Sequence, residues 1–159
     1  MKHHTDKPLY FDDVAIGDSW DSAARTITES DVHAFAGLTG DYNPLHVDHE
    51  SAKTTLFGKP IAHGLLGVSI VAGLGSHSPH MRTVAFVRIR EWSFLKPIFF
   101  GDTIHVRTEV IAKLVRGRGR RGLISWKRQL LNHAGVVVQE GIFETLVEVA
   151  AKGAASKSD

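Results

Sequence analysis

One stretch of the chain, residues 39–66, reads TGDYNPLHVDHESAKTTLFGKPIAHGLL, and the remaining sequence is organised around it. Its first half places a carboxylate, an amide and an imidazole on one short loop, at Asp41, Asn43 and His46. Pro44 has a restricted φ and disfavours the helical region for the residue before it, which makes the loop rigid. General acid–base catalysis needs proton donors and acceptors held in position, so this loop is a natural place for proton transfer.

The second half of the stretch begins an apolar run that extends from Ile61 to Gly75 without a charged residue. A segment that is apolar on all sides predicts a buried helix. At about 15 residues it is shorter than a membrane span. Gly64 lies near its start, where backbone N–H groups lack helical partners and can stabilise a developing negative charge.

The pattern outside this stretch predicts one α+β domain, with about five antiparallel strands curved around the long buried helix. Residues 28–38 form a short amphipathic helix that ends at Gly40, and Asp48 caps another over residues 49–55. A shift of the apolar phase near Arg90 and Glu91 predicts a β-bulge. The domain covers residues 9–149, between flexible tails at 1–8 and 150–159. The predicted strands are residues 20–27, 84–95, 103–115, 123–131 and 136–149.

Composition excludes several classes of protein. The chain has 159 residues, 43% of them hydrophobic and 23% charged, which is typical of an ordinary soluble globular domain. Its net charge of +2 is too small to indicate nucleic-acid binding, and the absence of cysteine excludes disulfides and thiolate catalysis. The polar N-terminal residues do not form a signal peptide, so we expect a cytoplasmic protein without a membrane partner.

The organising stretch resembles the signature of a known family. Residues 39–48, read as TGDxNPLHxD, are followed by Ala52 and then by FGxxIAHG at residues 57–64. This order is similar to that of the MaoC-like, (R)-specific enoyl-CoA hydratases, the hydratase 2 family. The resemblance implies a hot dog fold, a homodimer whose two sheets join, and reversible hydration of trans-2-enoyl thioesters to (3R)-3-hydroxyacyl thioesters. It implies no cofactor, a thioester substrate carried on coenzyme A, and a place in fatty acid metabolism.

The resemblance also implies roles for individual residues. Asp41 is the general base, and His46 is its partner in binding the catalytic water. Gly64 is the residue whose N–H polarises the thioester carbonyl. Asn43 either supports this site or serves only as a turn residue, and His63 is interpreted as a buried histidine bonded to backbone. Ser69 is a candidate for the helix serine that assists in some family members, although no role is assigned to it.

A cluster of arginines forms the one strongly basic loop. It contains Arg116, Arg118, Arg120 and Arg121, separated by glycines. Such a loop is either a solvated hairpin tip or a binding site for the phosphates of coenzyme A, which suit the guanidinium fork.

Other activities fit the sequence less well. The pair His46 and His49 lacks a zinc-binding pattern, so no metal is predicted. A serine hydrolase would need a G-x-S-x-G turn, which is missing. The alternatives that stay open are a hot dog acyl-CoA thioesterase and a non-catalytic subunit that binds acyl thioesters. The intact loop from Asp41 to His46 favours the hydratase.

Overall fold

A computed structural model describes residues 7–151, except for the side chain of Arg118. The predicted tails lie mostly outside this range, at residues 1–6 and 152–159. The helices are α1 (Glu29–Thr39), α2 (Pro44–Val47), α3 (His49–Ala52) and α4 (Gly64–Gly75), with short 3-10 turns at Phe11–Asp13 and Gly117–Gly119. The strands are β1 (Ser19–Asp21), β2 (Arg25–Thr26), β3 (Thr83–Phe94), β4 (Thr103–Arg116), β5 (Arg121–Asn132) and β6 (Val137–Glu148).

The strands form one antiparallel sheet in the order β1-β4-β5-β6-β3. The short strand β2 also pairs with β4, closer than β1 to the start of β4 at Thr103. This confirms the predicted α+β class and the four long strands. A single strand over residues 20–27 was wrong, because the segment divides into β1 and β2. At the break, Ser22 donates its N–H to Val106 O, and its hydroxyl accepts from Val106 N. The hydroxyl replaces a backbone partner there and interrupts the ladder.

The predicted bulge lies in β3. Glu91 adopts a positive φ of 56°, and the register with β6 shifts between Arg90 and Ser93. Beyond it, the Trp92 ring packs against Phe143 with centroids 5.1 Å apart. The bulge therefore turns a large side chain onto the core without ending the strand.

Helix α4 packs against β4 and β5, and one of its faces is buried. The opposite stripe is exposed in the single chain and contains Leu65, Ser69 and Gly73. The prediction of a helix buried on all sides therefore holds for one face only. The buried face consists of Leu66, Gly67, Ile70, Val71 and Gly75. None of the helices within residues 7–151 has the length and apolar character needed to cross a membrane.

The C-terminal end of α4 is closed by Arg128 from β5. Its Nη2 donates to Gly75 O at 3.0 Å, and its Nη1 donates to Val71 O at 3.3 Å. Burial lowers the pKa of Arg128 to about 10, so the group stays charged at neutral pH. The guanidinium carbon lies 5.0 Å from the centroid of the Phe143 ring. A charged side chain in the core thus donates to carbonyl groups of the last helical turn, which helps to satisfy the C-terminal end of the helix.

Candidate active site

The segment between α1 and α4 carries the first part of the site. Gly40 ends α1 in the left-handed region, with φ 81°. Asn43 then caps α2, because its Oδ1 accepts from Leu45 N at 3.0 Å. The N–H of Asn43 in turn donates to Asp41 Oδ1 at 3.3 Å. Asn43 therefore shapes the loop, which agrees with both interpretations of this residue.

His46 follows on α2, and its hydrogen bond defines its tautomer. Its Nδ1 lies 2.8 Å from Ile61 O. A carbonyl oxygen only accepts, so Nδ1 carries the hydrogen. In the neutral ring, Nε2 is then the nitrogen that can accept a proton.

His63 lies beneath this loop and is almost completely buried, with 2% of its surface exposed. Its Nε2–H donates to Asp41 O at 2.9 Å. Its ring centroid lies 3.9 Å from that of His46 and 5.1 Å from that of Phe35. The structure agrees with the interpretation of a buried histidine bonded to backbone, and it adds contacts with both proposed catalytic residues.

The fold brings Asp41 and His46 together although they are five residues apart in the sequence. One carboxylate oxygen of Asp41, one ring nitrogen of His46 and one ring nitrogen of His63 all lie within 4.8 Å of one another. The separation between His63 Nε2 and Asp41 Oδ2 is 3.9 Å. A carboxylate and an imidazole this close can share a water molecule and exchange protons with it.

The same three side chains could also hold a metal ion. Within residues 7–151, they are the one group of three candidate ligands that lie close enough. His46 has the fixed Nδ1–H that a metal-binding histidine usually has. His63 fits less well, because its Nε2 is engaged by Asp41 O and its Nδ1 is buried without a partner. A metal would have to break the hydrogen bond that ties the loop to the core, so the arrangement favours proton transfer.

A cavity of about 250 Å³ lies beside His46 and the start of α4. Gly64 is the first residue of α4, and no side chain caps that end of the helix. Its N–H therefore belongs to the unpaired donors of a helix N-terminus. The carbonyl of Gly64 accepts from Gln139 Nε2 at 3.2 Å. Both the imidazole and the helix N-terminus line this cavity, together with Phe57, Ile61, Ala62, Phe94, Leu95, Lys96, Pro97, Ile98 and Gln139.

Gln139 is a cavity residue that sequence reasoning missed. It is 2% exposed, and its Oε1 has no hydrogen-bond partner. A signal was present in the sequence, because Gln139 shares the inward phase of β6 with Phe143 and Val147. A polar residue in that phase marks a position where the core meets a polar group.

The arginine loop lies at the other end of the sheet. In β6, Glu148 pairs with Arg121, whereas Gln139 lies nine residues earlier, about 30 Å away along the strand. Arg120 and Arg121 border a separate cavity of about 480 Å³. Within one chain the described arginines do not reach the His46 cavity, and the side chain of Arg118 lies outside the described part.

Ser69 also lies away from the His46 cavity. Its hydroxyl donates to Leu65 O at 2.9 Å, one turn earlier in α4. It borders a different cavity, with Arg25 and His77. Nothing in this geometry assigns a role to the serine.

Comparison with known proteins places this geometry in context. Residues 13–124 match the family model of the MaoC like domain. The chain is 37% identical over 145 residues to an (R)-specific enoyl-CoA hydratase from Rhodospirillum rubrum, covering 91% of this chain and 94% of that protein.

Solved structures show the same architecture. A MaoC-like dehydratase from Rhodospirillum rubrum superposes with a TM-score of 0.80 at 30% identity, over 90% of this chain and 99% of that one. A Mycobacterium tuberculosis protein with a double hot dog fold gives a TM-score of 0.82 at 21% identity. That match covers 94% of this chain and 47% of the longer one. The predicted hot dog fold is confirmed.

Proposed function

The chain belongs to the MaoC-like domain family, and from this premise we propose that it hydrates trans-2-enoyl thioesters reversibly to (3R)-3-hydroxyacyl thioesters. The enzyme is a hydro-lyase. One observation carries the proposal: Asp41 and His46 converge beside the N-terminal end of α4, where His46 and Gly64 line the same cavity.

The chemistry follows from the three groups. Asp41 accepts a proton from a water molecule that His46 Nε2 orients, and the water oxygen bonds to C3 of the enoyl group. The electron pair of the 2,3 double bond moves toward the thioester oxygen, where the Gly64 N–H stabilises the charge. The proton that Asp41 took from water is then transferred to the α-carbon on the same face, which restores both the carbonyl and the carboxylate. The net change is addition of one water, and the reverse steps remove it.

The proposed substrate is a coenzyme A thioester of fatty acid metabolism. The hydratase from Rhodospirillum rubrum carries this substrate in its name. The cavity is lined mostly by apolar side chains, which suits an acyl chain. The steps above use groups of the protein alone, without cofactor or metal. A cytoplasmic location stays a prediction from the sequence.

We propose that the working form is a homodimer joined along β3. Among the described strands it pairs only with β6, so within residues 7–151 its other edge is open. Its apolar side chains are nevertheless exposed on both faces: Val84 at 40%, Phe86 at 50%, Val87 at 49% and Ile89 at 40%. A long apolar edge is a liability unless another strand covers it. A second copy would cover it with an identical edge, as two-fold symmetry requires.

Such a dimer offers a role for the arginine loop. The loop lies at the Thr83 end of β3, and the His46 cavity lies at the Phe94 end. Antiparallel pairing of two β3 edges places the Thr83 end of one copy beside the Phe94 end of the other. The arginines that approach a given cavity therefore come from the second copy. We propose that these guanidinium groups bind the phosphates of coenzyme A.

The function is tested by following the enoyl-thioester absorbance with crotonyl-CoA and octenoyl-CoA. We expect the band to disappear without release of free thiol, and the product to be the (3R) alcohol. Thiol release would instead identify a thioesterase. Saturable binding without either change would identify a non-catalytic acyl-binding protein, and both results contradict the proposal.

The arginine role is tested with a quadruple variant that replaces Arg116, Arg118, Arg120 and Arg121 by alanine. We expect KM for enoyl-CoA to rise and kcat to stay nearly constant, because phosphate contacts stabilise ground and transition states alike. The matched control is a pantetheine thioester, whose KM should not change. An unchanged KM for enoyl-CoA identifies the loop as a solvated hairpin tip.

A further inference from the structure

We propose that His63 is a positioning residue for the reaction, one buried ring that holds both Asp41 and His46 in their working geometry. The role rests on the proposed function of these two residues. His63 does not line the cavity, so it acts through its neighbours and not on the substrate.

The first contact anchors Asp41. The side chain of Asp41 is 53% exposed. Its remaining hydrogen bonds stay within its own loop, from its N–H to Thr39 Oγ1 and from Asn43 N to its Oδ1, both at 3.3 Å. Among the described residues, His63 supplies the hydrogen bond that ties Asp41 to the folded core, at 2.9 Å. Without it the carboxylate would depend on an exposed loop for its position.

The second contact orients His46. The hydrogen bond from its Nδ1 to Ile61 O fixes one atom but leaves the ring free to rotate about that bond. The His63 ring packs on the His46 ring at 3.9 Å between centroids, with 32° between the planes. This stacking restricts the plane of the imidazole, and with it the direction of Nε2. Both contacts come from one side chain that the core holds, since Phe35 packs against it as well.

The environment of His63 explains why histidine suits the position. The ring must be flat enough to stack on His46 and must also carry a donor at the place of Nε2. Its other nitrogen, Nδ1, is buried and has no hydrogen-bond partner. A residue that served only to fill the core would not need this nitrogen, because leaving a buried polar atom unpaired is unfavourable.

Three variants separate the two contacts. His63→Gln keeps a donor near the position of Nε2 but loses the stacking, whereas His63→Phe keeps the ring but loses the donor. His63→Ala loses both. We expect His63→Ala to lower kcat by about 10- to 100-fold, the effect of a small misplacement of catalytic groups. Gln and Phe should each restore part of this loss. KM should stay within about twofold in all three, because His63 does not contact the substrate.

The control is His80→Gln, which changes an exposed histidine outside the site and should leave kcat unchanged. A folded His63→Ala enzyme with wild-type kcat would overturn the proposal. Equal losses in all three variants, accompanied by a matching loss of thermal stability, would show that His63 only supports the fold.

A second measurement does not depend on turnover. Nitrogen NMR of the His46 ring reports whether Nδ1 carries the hydrogen and whether the ring is fixed. We expect the Nδ1–H signal of His46 to persist in the wild type and to broaden or disappear in His63→Ala. If the protein does not hydrate enoyl thioesters but His63→Ala broadens the Nδ1–H signal of His46, the proposed function fails and the positioning role stands. If the signal is insensitive to His63, the positioning fails whatever the enzyme does.

Discussion

The two ends of α4 are treated in opposite ways. At the C-terminal end, Arg128 donates to Val71 O and Gly75 O. At the N-terminal end, no side chain caps the helix, and Gly64 borders an open cavity. The fold therefore closes the C-terminal end with a side chain of its own and leaves the donors of the N-terminal end open to a ligand.

The electrostatics of the helix give this difference a chemical meaning. A helix carries partial negative charge at its C-terminus and partial positive charge at its N-terminus. Arg128 pairs its buried charge with the C-terminal carbonyls, since none of the carboxylates described forms an ion pair with it. In the proposed reaction, the free N-terminal end interacts with the charge that develops on the thioester oxygen. An uncapped helix terminus therefore indicates a ligand site most clearly when a side chain satisfies the other terminus of the same helix.

The largest expected effect is at the open end. Asp41→Asn removes the proposed base, and His46→Gln removes the imidazole ring while keeping a donor. Each should lower kcat by at least about 10²-fold, the scale of general acid–base catalysis. Both side chains lie outside the hydrophobic core, so thermal stability should change little.

These values are measured with purified variants in the enoyl-thioester assay. The control is His49→Gln, an exposed histidine next in sequence to the loop but not part of the cavity. Near-normal turnover in a soluble Asp41→Asn or His46→Gln enzyme would show that the residue does not take part in the reaction.

The next effect is at the closed end and should appear in stability. A Cβ at Gly75 would lie 2.5 Å from Arg128 Nη1, so Gly75→Ala must displace the guanidinium. Loss of its hydrogen bonds to buried carbonyls should lower the free energy of unfolding by about 1–3 kcal/mol. The kcat of the folded fraction should stay close to wild type.

Gly73→Ala is the matched control, because a Cβ at that position meets no atom within 4 Å. It should raise the stability of the helix by up to about 1 kcal/mol. Urea unfolding compares the two variants. Equal stability of both would mean that the contacts of Arg128 contribute nothing to the closed end.

A smaller effect distinguishes the cap of α3 from the closed end of α4 by its dependence on pH. Asp48 caps α3 beside the site, and hydrogen bonds from the Ser51 backbone, and then from its hydroxyl, lower the pKa of Asp48. A carboxyl whose folded pKa is depressed stabilises the cap above its ordinary value of 3.8, and this stabilisation is lost as pH falls below that value. Arg128 stays protonated throughout this range.

Amide NMR shifts of Glu50 and Ser51 should therefore move as the solution is acidified from about pH 5 to pH 2, whereas those of residues 71–75 should not. In Asp48→Asn the acid-induced movement of the Ser51 amide should be largely lost. Parallel movement of the α3 amides and those of residues 71–75 in the wild type would show global unfolding and not a local loss of the cap.

Removal of metal ions is expected to have no effect on kcat. If Asp41 and His46 transfer protons without a metal, then EDTA dialysis should leave kcat unchanged. A loss of activity that zinc restores would identify Asp41, His46 and His63 as metal ligands. The site at the open end of α4 would then be a metal centre. Metal analysis of the purified protein before dialysis serves as the control.

Local patterns in the sequence predicted much of this structure. The Asp41 loop, the bulge near Glu91 and the alternation of β4 depend on neighbours in the chain, and all three are present. The contact of His63 with Asp41 joins residues 22 positions apart, and no periodicity predicts such a contact. Arg128 was visible as an inward position of β5, in phase with Trp126 and Leu130. Only the fold shows that the carbonyls of α4 lie opposite it.

The open edge of β3 also has a consequence for how such proteins evolve. If each copy covers the edge of the other, a gene fusion of two copies would preserve the joined sheet within one chain. The linked halves would no longer need to be identical. One half could lose residues such as Asp41 and His46 and diverge as a substrate platform, while the other retained the chemistry. The double hot dog protein of Mycobacterium tuberculosis, to about half of which this chain aligns, shows that two such domains can share one polypeptide.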